Sequence, residues 1–210
     1  MKLTERRTRM SLNVVTLDDY ADFVTKLASP HSTADFNAKL ATGGLGVAGE
    51  VGEVSRIVVS VLQEEEGWGP VVLKQLIDEL GDVMWYTAFL ANNVLDGSLE
   101  ELKLRGCSLP RSTDPTDNMV DGIALLSSKA GKVADVAKKV LFHGMSYDDT
   151  VRRKLYFATA DVYAATEHFA KCVCCCDVYE LIRVNVEKLR ERYASLKFTT
   201  EEFMAKETGK

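Results

Sequence analysis

The chain has 210 residues, of which 46% are hydrophobic and 27% charged, as in a globular protein that can bury a sizeable core. Four prolines and an aromatic share of 8% argue against an all-β sandwich, and a formal net charge of −5 argues against binding to nucleic acid or to an anionic membrane. No stretch approaches the roughly 18 apolar residues of a membrane span, and no apolar stretch of signal-peptide length follows the charged N-terminus, so we expect a cytoplasmic protein.

The spacing of apolar residues is helical nearly throughout, which predicts an all-α protein. Thr16 has the character of an N-cap for a first helix with acidic residues in its first turn. A second helix is predicted over about 44–65 and a third over about 71–93. Ser98 and Glu101 have the spacing of a capping box, which predicts the start of a fourth helix.

Residues 105–118 have the composition of a linker, and the helical pattern restarts after them. Residues 48–58 and 130–140 are identical at five of eleven aligned positions, and residues 82–102 and 161–181 at seven of twenty-one. Chance similarity between amphipathic helices is the alternative explanation, but the shared "AG", valine spacing and cap favour a tandem duplication. We therefore predict two helical units, 1–110 and 111–210, packed as a pseudo-dimer.

Four acidic residues lie in phase with apolar stripes on the second and third helices. At about 100° per residue, Glu50 and Glu53 point with the apolar face of one helix, and Glu79 and Asp82 with that of the next. Buried acids need basic partners, shifted pKa values or a bound cation. Paired carboxylates on two helices suit a hard cation, so we predict a Mg²⁺ site, with Mn²⁺ as an alternative ion.

Two other metal sites are weaker interpretations. A di-iron bundle needs Glu-x-x-His on two helices, and none of the three histidines lies three residues after a glutamate. Four of the five cysteines crowd into "KCVCCC" (171–176), which is not a secreted disulfide framework. Cys172 and Cys175 have CxxC spacing, but no second pair or nearby histidine completes a zinc site, so we interpret them as small apolar residues at a helix end.

Three segments carry a resemblance to a known family: "GLGVAGEVGEV" (44–54), then "ELGDVMWY" (79–86) after about two dozen residues, and near the C-terminus "NVEKLRERY" (185–193). With these segments the sequence resembles the MazG-like, all-α nucleoside triphosphate pyrophosphohydrolases. The last segment is similar to the family's closing motif. The resemblance covers most of residues 16–110 and, in decayed form, 119–200.

The resemblance implies a MazG-like helical bundle and an enzyme that cleaves a nucleoside triphosphate into the monophosphate and pyrophosphate, and so sanitises or balances a nucleotide pool. It implies Mg²⁺ ligation by four acids, with one of the two glutamates of the second helix as general base. The implied ligands are Glu50, Glu53, Glu79 and Asp82, and the implied catalytic residues are Glu50 and Glu53. The residues implied to contact substrate are Tyr86, Asn185, Lys188, Arg192 and Tyr193.

The second unit departs from the family's pattern. Lys132 stands where the alignment expects Glu50, and Ala158 where it expects Glu79, so this unit is not expected to hold a metal by itself. The first unit in turn lacks the closing motif. We infer one composite site, with acids from the first unit and basic residues from the second. Family members commonly build sites between subunits, so a single chain here can imitate a dimer, and homodimerisation remains an alternative to a monomer.

Three alternative functions remain open. A dUTP or dCTP specialist and a phosphoribosyl-nucleotide pyrophosphohydrolase would use the same scaffold, since pocket residues decide the base and sugar. A non-catalytic helical interaction module is permitted by the degenerate second unit. The four acids of the first unit speak against this module, because a retired site has no reason to keep interior-facing carboxylates.

Overall fold

The computed structural model describes residues 16–63, 67–104, 112–193 and 198–199, and these ranges contain seven α-helices and no strand. The prediction of an all-α protein is therefore confirmed. The helices are α1 (Leu17–Leu27), α2 (Phe36–Leu62), α3 (Pro70–Asn93), α4 (Leu99–Lys103), α5 (Pro115–Phe142), α6 (Asp149–Val173) and α7 (Val178–Arg192). No helix in these ranges combines the length and the apolar character that a membrane span requires.

Side-chain caps explain where most of these helices begin. The Thr16 side chain accepts a hydrogen bond from the backbone N–H of Asp19, whose carboxylate accepts one in return, and Ser98 caps α4 by the same kind of bond. Asp148 and Asp177 cap α6 and α7. These bonds satisfy N–H groups that have no partner within the helix.

Two predicted boundaries are wrong. The second helix begins at Phe36 rather than near 44, because the side chain of Asp35 accepts a hydrogen bond from the N–H of Ala38 and caps an earlier turn. The predicted linker 105–118 extends too far, since Asp114 caps α5 and Pro115 occupies its first position, where a proline's missing N–H costs nothing. The part of the linker at 105–111 lies outside the described residues.

The helices pack around one hydrophobic core to which both halves of the chain contribute. α2 lies between α3 and α5, α5 packs on α6, and α3 also contacts α1, α6 and α7. The two long helices α2 and α5 run antiparallel and approach closely: a Cβ at Gly44 would lie 2.7 Å from the Cβ of Ala137, and the hydroxyls of Ser55 and Ser127 are 3.4 Å apart. The absence of a side chain at Gly44 therefore sets the distance between the helices.

Two helices of the first half and their counterparts in the second half begin the same number of positions apart. Pro70 and Asp149 begin α3 and α6, Leu99 and Val178 begin α4 and α7, and the members of each pair are 79 positions apart. Asp82 and Asp161 of the sequence alignment are separated by the same number. The halves differ in their last helix, because α4 has five residues and α7 has fifteen.

Candidate functional site

Three of the four predicted metal ligands converge where α2 faces α3. Glu50 from α2 and Glu79 and Asp82 from α3 each offer a carboxylate oxygen, and these oxygens all lie within 4.8 Å of one another. All three residues are partly buried. Their convergence follows from the helical spacing, because each acid lies in phase with the buried stripe of its helix.

Glu53 lies outside this group. Its side chain is 53% exposed, and its Oε2 accepts a bond of 3.1 Å from Nε of Arg56. The expectation that Glu53 points with the apolar face is therefore wrong: it lies at the edge of the buried stripe, where the helix surface reaches solvent and a basic residue follows at i+3. Its roles as a ligand and as a base remain predictions.

The closing segment on α7 contacts the acids directly through Asp82. Asn185 donates its side-chain N–H to Oδ1 of Asp82 at 2.7 Å, and Nζ of Lys188 donates to Oδ2 at 2.5 Å. Lys188 also donates to the backbone carbonyl of Asp78 at 3.1 Å. The structure thus brings residues that are more than a hundred positions apart into one polar cluster.

Two residues that sequence reasoning missed support this arrangement. The hydroxyl of Tyr20, fully buried on α1, donates to Oδ1 of Asn185 at 2.8 Å. Gly81 lets α7 approach α3, because a Cβ there would lie 3.1 Å from the Cβ of Asn185. A glycine inside a helix costs about 1 kcal/mol, which was a usable signal for Gly81. Tyr20 gave no such signal, since a tyrosine on an apolar stripe is typical of a core.

The electrostatics follow from crowding carboxylates in a half-buried site. Burial, followed by the charges of Asp82 and Glu79, raises the pKa of Glu50 to about 7, and Lys188 acts in the opposite direction. Burial and then the charge of Asp82 raise the pKa of Tyr20 well above its usual range. A carboxyl with a pKa near neutrality can take or release a proton under physiological conditions.

The remaining predicted substrate residues lie around Tyr86, which neighbours Glu50. The ring of Tyr86 lies over Gly46, where a Cβ would come within 2.2 Å of it. Burial, then Glu50 and Asp82, raise the pKa of Tyr86 to about 12, with smaller effects from nearby Tyr193 and, in the opposite direction, Arg192. Tyr193 is only 4% exposed, and the Nε atom of Arg192 is buried without a hydrogen-bond partner within the described ranges. None of these contacts tests the substrate role of these residues.

The matching carboxylates of the second half are each held by lysines. Asp161, the counterpart of Asp82, accepts a bond of 2.8 Å from Nζ of Lys129. Asp135, the counterpart of Glu53, pairs with Lys138 and Lys139, and these bonds lower its pKa. Within the described ranges, the acidic group that could hold a metal ion consists of Glu50, Glu79 and Asp82.

The cysteine cluster forms no comparable group within the described residues. The expectation that no histidine lies near Cys172 is wrong, because Nδ1 of His168, one helical turn away on α6, lies 3.7 Å from its Sγ. Cys174 and Cys176 are buried, and burial raises the pKa of both thiols. These two side chains therefore behave as small apolar residues where α6 ends, whereas Cys172 is half-buried and Cys175 is exposed.

Comparison with known proteins gives little further guidance. No family model matches the chain, and no solved structure matches it. The chain is 41% identical over 54 residues to the Gene 37 protein of Mycobacterium phage L5, an alignment that covers 24% of this chain and 45% of that relative. The match thus spans less than half of the relative's length, and the relative's name states no activity. The resemblance to the MazG-like family stays a prediction.

Proposed function

We propose that this protein is a Mg²⁺-dependent nucleoside triphosphate pyrophosphohydrolase of the MazG-like type, which converts a nucleoside triphosphate and water into the monophosphate and pyrophosphate. The observation that carries the proposal is the convergence of Glu50, Glu79 and Asp82 beside Lys188. The substrate is an anion and its reaction needs the charge on phosphate oxygens neutralised, which a cation held by the three acids and the ammonium of Lys188 would together provide.

The three carboxylates fit a hard divalent cation. Their oxygens are the donor type that Mg²⁺ and Mn²⁺ take, and their spacing lets one ion or a close pair of ions contact all three residues. The alternative of three half-buried carboxylates without a cation is costly, and the raised pKa of Glu50 expresses that cost. We therefore assign Glu50, Glu79 and Asp82 as ligands. Glu53 is close enough for its charge to raise the pKa of Glu50 slightly.

The chain's own residues divide the chemistry between them. A divalent cation, when bound, would neutralise phosphate oxygens and lower the pKa of a water molecule. A carboxylate oxygen of Glu50 that the cation leaves free would accept the proton of the attacking water. The pKa of about 7 belongs to the metal-free site, because a bound cation would lower it. Lys188 and Arg192 supply positive charge for the phosphates. Tyr86, whose ring lies on Gly46 beside Glu50, forms one wall of the site.

We further propose that the two halves form a pseudo-dimer with a single composite site. A two-fold interface pairs residue i with j and the counterpart of j with that of i. At the 82-position offset between the aligned segments 48–58 and 130–140, Ser55 corresponds to Ala137, and the same offset carried back to Gly44 gives residue 126. Two-fold symmetry would convert the contact of Gly44 with Ala137 into a contact of Ser55 with residue 126. Ser55 in fact contacts Ser127, which is one position away. This symmetry and the repeated helix starts support a duplication in which one half supplies the acids and the other supplies α7.

The decisive experiment measures pyrophosphate released from a panel of ribo- and deoxyribonucleoside triphosphates and phosphoribosyl nucleotides, with Mg²⁺ and with a chelator. We expect turnover that needs Mg²⁺. We expect Asp82→Asn to lower kcat/KM by about a hundredfold, as removal of a metal-binding group commonly does. The matched control is Asp161→Asn, which changes the corresponding acid of the second half and should leave kcat/KM within about twofold, since Asp161 lies outside the acidic group.

Each outcome separates the candidate functions. A preference for one base identifies a dUTP or dCTP specialist, and turnover of phosphoribosyl nucleotides identifies the third enzyme class. Full activity in chelator contradicts the metal site. The absence of turnover on every nucleotide, in protein that binds Mg²⁺, contradicts the enzyme and favours the interaction module. For the enzyme we expect a cytoplasmic location, where free nucleotides occur, and a composite site complete within one chain, so a homodimer is not required for activity.

A further inference from the structure

We propose that Lys188 is an internal counter-ion of the acidic group, and that a divalent cation binds in exchange for it and releases its ammonium to the anionic part of the substrate. This inference rests on the proposed function, because it assumes that Glu50, Glu79 and Asp82 bind a cation. It adds a means of regulation, because the ammonium of Lys188 occupies Asp82 until metal and substrate bind together.

The two oxygens of Asp82 have partners of different character. Oδ1 accepts from Asn185, which is 1% exposed and whose amide is fixed by the buried hydroxyl of Tyr20. Oδ2 accepts from Lys188, whose side chain is 15% exposed. The first partner is held in place by three helices, and the second is the end of a flexible stem that reaches solvent. Lys188 is therefore the partner that can leave.

Charge makes the lysine and a divalent cation competitors. An ion ligated by Asp82 would lie a few ångströms from the ammonium that now bonds Oδ2. At an effective dielectric constant of about 20, like charges roughly 5 Å apart repel strongly enough to weaken ion binding tenfold or more. Lysine suits such an exchange, because its ammonium is a point charge on a flexible stem rather than a bidentate fork.

The exchange would couple the affinities for metal and substrate. In the described structure Lys188 is bound to Asp82 and to the carbonyl of Asp78. A phosphate group that binds the ammonium would draw it away from Asp82 and so favour the cation, and the cation would favour phosphate binding by the same factor. The resting protein would thus bind the metal alone more weakly than its acids permit.

The second half of the chain provides a matched control. Lys129 and Asp161 form an ion pair of similar length and burial, with a distance of 2.8 Å and side-chain exposures of 16% and 29%, against 2.5 Å, 15% and 21% for Lys188 and Asp82. This pair lies outside the acidic group. Removing either lysine breaks a comparable ion pair, but only Lys188 neighbours the proposed ligands.

The test titrates Mn²⁺ into the full chain without substrate and follows free Mn²⁺ by electron paramagnetic resonance. We expect Lys188→Met to bind Mn²⁺ about tenfold more tightly than the unchanged protein, since a competing charge is removed. Lys188→Arg keeps the charge and should bind within about threefold of the unchanged protein, and Lys129→Met should not differ. Pyrophosphate release by Lys188→Met should nevertheless fall, so that metal affinity and activity move in opposite directions.

The exchange and the metal site can fail separately. If Glu79→Gln weakens Mn²⁺ binding while Lys188→Met binds Mn²⁺ as the unchanged protein does, or more weakly, the exchange is wrong and the metal site stands. If neither the unchanged protein nor Lys188→Met binds Mn²⁺, both proposals are wrong. Should Lys188→Met not fold, Lys188→Gln replaces it, because its amide keeps a donor for Asp82 without the charge.

Discussion

The free-energy cost of crowding carboxylates in the site is visible in the pKa of Glu50. Glu50 is partly buried, it faces Asp82 and Glu79, and Lys188 compensates only in part, so its pKa rises from an ordinary 4.5 to about 7. A carboxyl whose pKa is raised on folding binds protons more tightly in the folded state. The folded protein is therefore favoured at low pH, where Glu50 is protonated, and loses this contribution as pH rises through the interval between the two values.

A pH series on the metal-free protein tests this cost. In chelator, we expect the free energy of unfolding to fall by about 1–2 kcal/mol between about pH 5 and about pH 8 relative to Glu50→Gln, after allowance for solvent screening. The measurement is urea unfolding of both proteins at each pH. Parallel pH profiles would contradict the raised pKa. Saturating Mn²⁺ should restore the lost stability only in the protein that keeps Glu50.

Individual site residues were predictable to different degrees. Glu50, Glu79 and Asp82 could be found because a charged residue in phase with an apolar stripe is costly to bury unless a partner or a cation compensates its charge. The same arithmetic misplaced Glu53, since it gives a direction around the helix but not where the neighbouring helix stops covering it. Tyr20 could not be found, because its bond to Asn185 depends on how α1 and α7 are both placed against α3.

At the scale of elements, the glycines of α2 have different roles. Gly44 faces Ala137 of α5, where a Cβ would come within 2.7 Å, whereas a Cβ at Gly49 meets nothing within 4 Å. The first glycine is required by helix packing. The second only lowers the helix propensity of α2.

Alanine substitutions should therefore have opposite effects at the two positions. We expect Gly44→Ala to lower the free energy of unfolding by about 1–2 kcal/mol, because overpacking exceeds the gain in helix propensity. Gly49→Ala should raise it by about 0.5–1 kcal/mol. Urea denaturation measures both changes. The second substitution Ala137→Gly should restore part of the loss in Gly44→Ala, and a stabilising Gly44→Ala would contradict the close approach of α2 and α5.

The helices themselves were predictable where local chemistry decides them. Apolar spacing predicted α3, and the caps at Thr16 and Ser98 predicted the starts of α1 and α4. The start of α2 was misplaced, because the cap at Asp35 lies before a stretch whose apolar period is weak. The close packing of α2 on α5 could not be derived, since helix phase alone does not choose a partner.

At the scale of the whole molecule, residues of both predicted units meet in one core and in one candidate site. One hydrophobic core contains residues of both halves, and the candidate site takes side chains from α2, α3 and α7. Asp82 is bonded to residues 103 and 106 positions away. The division at 110/111 falls in residues that the structure does not describe, so the domain boundary remains a prediction, and the shared core indicates that neither half is complete alone.

The shared core predicts that both halves unfold in one transition. The two tryptophans, Trp68 and Trp85, lie in the first half, so their fluorescence reports that half, whereas far-UV circular dichroism reports all helices. Because exposing the face of α2 that packs on α5 would expose core residues of both, we expect the two urea transitions to coincide. A helical signal from α5 and α6 that persists after the fluorescence transition is complete would show two independent domains. In that case the bonds of Asn185 and Lys188 to Asp82 would join two separately folded bodies.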